Sequence, residues 1–103
     1  MPETQRVYRD HTNQEYVDVR QPVAPIAMRD LRMAGALAAN FGDRAERLRK
    51  WALASIADVQ LTGADGEAIS GPLDADKLDL LPYATHKWIY ERLFAAAVEI
   101  PLQ

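Results

Sequence analysis

The 103-residue chain contains no cysteine. That absence removes disulfides, thiolate-bound zinc and a cysteine nucleophile together, and it suits a reducing compartment. Folding is expected to rest on packing alone. No apolar run approaches the roughly 20 residues that a membrane span needs, and the opening MPETQRVYRDHTNQ carries charge where a secretory signal is apolar. The expectation is a soluble protein of the cytoplasm. The five glycines are scattered, so they build no phosphate-cradling loop. Of the two histidines, His11 falls in a turn region and His86 on a helix, with no carboxylate at a recognised ligand spacing. DADKLD offers Asp74, Asp76 and Asp79 but lacks the mid-loop glycine and closing glutamate of a calcium loop. Neither Ser55 nor Ser70 sits in a strand-turn-helix elbow. No catalytic residue, cofactor or metal ligand is expected, and the chain reads as a non-enzyme.

What is present is an ordinary globular composition, 49% hydrophobic and 26% charged, enough for a single small domain with one core. The formal net charge of −3 argues against a dedicated nucleic-acid binder, which needs a basic surplus for phosphate contacts. The charge is unevenly placed. Arg29, Arg32, Arg44, Arg47, Arg49 and Lys50 face only Asp30, Asp43 and Glu46 in the same stretch. Further on, Asp58, Asp65, Glu67, Asp74, Asp76 and Asp79 face Lys77 alone. Such two-sided charge either solvates two faces or steers a partner.

RVYRDHTNQEYVDVR reads as two short strands around DHTNQ, with Val17 and Val19 alternating against Tyr16, Asp18 and Arg20. Residues 1–5 are expected to be loose. Pro22 and Pro25 remove backbone donors and disfavour helical geometry at Gln21 and Ala24, so the strand stops there. Beyond Pro25 the period changes. Ile26, Leu31, Ala34, Leu37, Ala38 and Phe41 fit a helical face from about Ile26 to Asn40, closed by Gly42, with Arg29 and Arg32 on its wet side.

Asp43 and Glu46 resemble a capping box opening a second helix. Leu48, Trp51, Ala52, Ser55, Ile56 and Val59 make its apolar stripe. Asp65-Gly66 is a turn between Val59, Leu61 and Ile69, which favours a short second hairpin over a loop. Asp74 to Leu80 allows a helical turn that points Leu78 and Leu81 inward. Pro82 then opens a last helix from Tyr83 to Glu99. Ile89, Leu93, Ala96 and Ile100 form one line of that helix, and Tyr90, Phe94 and Ala97 the next. The expected fold class is therefore α+β but mainly helical, with about three α-helices, a small N-terminal β-hairpin and room for a second.

For binding, the last helix carries an apolar band wider than one neighbour needs. Trp88, Tyr90 and Phe94 either close the core or leave an edge for a partner. Arg44, Arg47 and Lys50 are the basic candidates for orienting it, and Trp51 is expected in the core. A band this wide also favours a homo-oligomer.

The order of parts resembles a family. VRQP (Val19 to Pro22), MRDLR (Met28 to Arg32), the acidic turn at Asp65 to Glu67 and LDLLP (Leu78 to Pro82) are similar to the tail assembly chaperones of long-tailed bacteriophages and prophages. The resemblance spans most of the chain from about residue 15, through short and degenerate motifs. It implies a non-enzymatic protein of the host cytoplasm that binds the tape measure protein, helps recruit tail tube protein and is absent from the finished particle. It supplies no catalytic residues. Two other classes fit the same composition. One is a small structural virion protein, such as a head-tail completion or tail terminator protein. The other is a nucleic-acid-binding regulator using Arg29, Arg32 and Arg44 to Lys50.

Overall fold

A computed structural model describes residues 3–10, 14–29 and 43–99. Strand β1 (Glu3–Asp10) turns back into β2 (Glu15–Gln21), and helix α1 (Asp43–Ser55) runs directly into β3 (Ile56–Thr62). Strand β4 (Ala68–Pro72), helix α2 (Ala75–Asp79) and helix α3 (Tyr83–Glu99) follow. The strands form one antiparallel sheet in the order β1-β2-β3-β4. The class is α+β, but the expectation of a mainly helical protein is wrong: a four-stranded sheet is the organising element. The helix expected from Ile26 to Asn40 lies, from Asp30 onward, outside the described residues.

The error has a physical source in Ile56 and Val59. The two are three residues apart and follow Leu48, Trp51, Ala52 and Ser55 at helical spacing, so they extend that stripe without a break. The chain nevertheless leaves the helix at Ser55. Val17 pairs with Val59 while Val19 pairs with Ile56, so two steps of β2 oppose three of β3. This β-bulge turns both Ile56 and Val59 to the core, each about 1% exposed, where an unbroken strand would send residues three apart to opposite faces. Helix and bulged strand thus give the same spacing.

The helix-to-strand step is held by Arg20. Its Nη1 donates to the carbonyl oxygens of Ala54 (3.1 Å) and Ile56 (3.0 Å), taking up acceptors that a helix end leaves open. Val17, Val19, Val59, Leu61 and Ile69 from the sheet meet Leu48, Trp51 and Ala52 of α1 and Ile89, Tyr90 and Leu93 of α3 in one core. The residues expected to be loose at the start are partly strand: Glu3, Thr4 and Gln5 pair with Gln21, Arg20 and Val19.

The second hairpin forms as a β3–β4 pair, from Asp58 with Pro72 to Thr62 with Ala68. Its turn uses Gly66 at φ 89°, a conformation that favours glycine, and Asp65 Oδ1 accepts from the Glu67 N–H at 3.0 Å. Asp74 caps α2 by accepting from the Lys77 N–H at 2.8 Å, and Leu78 and Leu81 point inward as the pattern requires. At the far end, Glu15 is only 7% exposed. It accepts from the Thr62 N–H at 2.9 Å and pairs with Arg9 at 3.7 Å, so the buried carboxylate is both bonded and paired. Arg9 also donates to the Thr85 hydroxyl, which ties the first hairpin to α3.

Candidate docking cleft

Pro22 and Pro25 end β2, and the Gln21–Pro22 peptide is cis. Residues 23–27 then run in irregular conformation across α1 and are fastened to it through Ala24. The Ala24 N–H donates to Ser55 Oγ at 3.1 Å, and the Ala24 carbonyl accepts from Trp51 Nε1 at 2.8 Å. Ser55 is fully buried and Trp51 is 3% exposed, so the two bonds answer polar groups that burial would otherwise leave open. The proline joint therefore has a fixed seat on α1.

Between joint and helix lies an open cleft of about 520 Å³. Residues 24–27 and Arg29 form one wall, and Arg47, Lys50, Trp51 and Ala54 form the other. The helical wall is one face of α1, since these residues stand at i, i+3, i+4 and i+7. The described residues that line it are apolar except for Arg29, Arg47 and Lys50, and none of them is a carboxylate. Arg29 and Lys50 are exposed and Arg47 is half-buried. Arg29 and Arg47 have interactions of their own.

The residues singled out from the sequence are divided by the fold. Arg47 and Lys50 stand together in the cleft, whereas the side chain of Arg44 lies outside the described residues. Tyr90 is 4% exposed and belongs to the core; burial pushes its phenol up to about 12. Trp88 and Phe94 are partly buried and pack against the same core. The Arg9 guanidinium lies 6.0 Å from the Trp88 ring centre, within cation–π range. The wide band of α3 is thus largely consumed by the fold. Among the exposed large apolar residues on that helix are Tyr83 and Val98.

In the sequence Arg29 is a candidate for partner contact near a helix start, but nothing in local spacing brings Ile26 and Ala54 beside it in one cleft. The signal was indirect: two prolines force the joint to run irregularly, and Ser55 and Trp51 offer a hydroxyl and an indole at the right face of α1.

A groove of about 390 Å³ separates Gln5, Arg6, Val7 and Tyr8 on β1 from Arg92, Ala95 and Ala96 on α3. On the β1–β2 surface, Arg6 makes a two-pronged contact to Asp18 at 2.9 and 3.2 Å and stacks 3.9 Å from the Tyr16 ring centre. Hydrogen bonding to Asp18, then to Tyr8, raises the Arg6 guanidinium above its already high range. That arginine is committed to its neighbours.

Among the described residues no group of His, Cys, Asp and Glu is placed to hold a metal ion, and no helix is long and apolar enough to cross a membrane. Comparison of the chain with protein-family profiles, curated proteins and solved structures gives no match.

Proposed function

We propose that the protein is a non-enzymatic assembly chaperone of the host cytoplasm, of the phage tail kind that its sequence resembles, and that it holds a client protein in the cleft between the proline joint and α1. One observation carries this reading. The cleft joins the two stretches that stood out in the sequence, VRQPVAPIAMR and RAERLRK, into a single apolar surface with a cationic rim. Apolar area at the centre with charge at the edge is the composition of a protein-binding site. The client in this reading is the tape measure protein, with the tail tube protein recruited next.

Co-expression tests it. The client should move from the insoluble to the soluble fraction when this chain is present, and should return to the pellet when Lys50→Glu and Arg47→Glu are combined. An unchanged soluble fraction with the native chain overturns the proposal.

A further inference from the structure

We infer that Lys77 guards the outer edge of β4, keeping this strand from pairing with the same strand of a second copy of the chain; the inference is independent of the client-binding reading. Among the described strands β4 is an outer one, next to β3 alone. A strand so placed presents main-chain N–H and C=O groups to any chain that can lie alongside. Which groups those are follows from the ladder. The Gly63 N–H donates to the Glu67 carbonyl at 2.8 Å at one end, and the Leu73 N–H donates to the Ala57 carbonyl at 3.3 Å at the other. Both bonds lie in the register that sets Leu61 opposite Ile69 and Val59 opposite Gly71, so Ile69 and Gly71 turn their backbone groups toward β3. Antiparallel ladders alternate. Ala68, Ser70 and Pro72 therefore point theirs away from the sheet.

Lys77 reaches back to those groups from α2. Its Nζ donates to the Ser70 carbonyl at 3.0 Å and to the Pro72 carbonyl at 2.9 Å. Asp74, Asp76 and Asp79 surround Lys77 in the sequence, yet two uncharged carbonyls hold the amine.

The geometry of self-pairing shows what this prevents. Two copies of β4 placed antiparallel about Ser70 would set Ser70 opposite Ser70 and Ala68 opposite Pro72. Every bond between them would then end on a Ser70 or a Pro72 carbonyl, since Pro72 has no N–H to give to Ala68. Those are the two acceptors that Lys77 holds. A strand arriving there would also have to cover an ammonium group, which costs free energy unless the charge is paired.

The test is Lys77→Ala in the full chain. It removes the amine, adds no apolar bulk and leaves the residue 77 N–H bonded to Asp74. It also makes the net charge more negative, which by itself favours separate molecules. Light scattering over a concentration series should show the mass of the variant rising toward twice that of one chain, above the native protein at each concentration. Amide exchange followed by NMR locates the contact. The Ser70 amide, on an exposed residue, should slow in the associated variant toward the rates of Ile69 and Gly71, which stay slow in both proteins.

Three results would each overturn the inference. One is a variant whose mass follows the native protein at every concentration. Another is association that leaves the Ser70 amide unchanged, which would place the contact elsewhere. The third is faster exchange at Ile69 and Gly71, which would mean that Lys77 holds β4 in the sheet and does not guard its edge.

Discussion

At the scale of single residues, His86 and Trp51 show how burial assigns work to a side chain. His86 lies on α3, its ring 6.3 Å from that of Tyr90, and burial lowers its pKa from 6.5. With a folded value below the unfolded one, the unfolded chain binds more proton in the window between them. Stability is therefore full above about pH 6.5 and falls as the pH drops through that window. Replacing His86 with Gln should flatten this part of the curve, which urea denaturation at a series of pH values will show.

Trp51 makes a different case. Trp51→Phe keeps an aromatic body but removes the donor to the Ala24 carbonyl. The loss should be about 0.5–1.5 kcal/mol for a partly buried hydrogen bond, read as a lower denaturation midpoint. The burial of Trp51 was legible from its place on the apolar stripe of α1. Its bond to Ala24 was not, because a residue 27 positions away leaves no trace in local spacing.

Among the elements, β3 carries the lesson about periodicity. Leu61 is 1% exposed and Thr62 is exposed on the same strand. Leu61→Ala should cost about 2–5 kcal/mol through lost burial and a cavity, while Thr62→Ala should stay within about 0.5 kcal/mol. If the segment were the end of a helix, the large loss would fall at helical spacing from Ile56 and not on alternate residues. Both hairpins, the cap at Asp74 and the helix from Tyr83 were legible because turns, caps and prolines act through neighbours in sequence. The bulge was not legible. It depends on the register between β2 and β3, which is set by pairing across the sheet, although the β-branched Ile56 and Val59 and the Val59–Leu61 alternation did favour a strand.

Gly71 adds a second test at this scale. Its φ of 90° strains any residue with a Cβ, and the space around it is adequate, the nearest atom to an added Cβ being Lys77 Nζ at 3.6 Å. Gly71→Ala should therefore lose about 1–2 kcal/mol from backbone conformation alone, measured by thermal or chemical unfolding.

For the whole molecule, the sheet and the helices leave an open cleft between the proline joint and α1, where the proposed client would be received. From the sequence, Trp88, Tyr90 and Phe94 of α3 either close the core or leave an edge for a partner. The fold buries Tyr90 and packs Trp88 and Phe94 partly against the core, and an apolar cleft opens beside Trp51. Among the described residues lining that cleft, the charged ones are Arg29, Arg47 and Lys50. Cleft and rim could not be read in advance, since they need residues 24–29 and α1 to meet, and that meeting follows from Ala24, Ser55 and Trp51.

Hydrogen exchange of the full chain, alone and with its client, tests this location most directly. The account predicts slowed exchange across residues 24–29 and 47–54 in the complex, with α3 unchanged. Protection confined to residues 88–94 of α3, or none at the joint and α1, would contradict it.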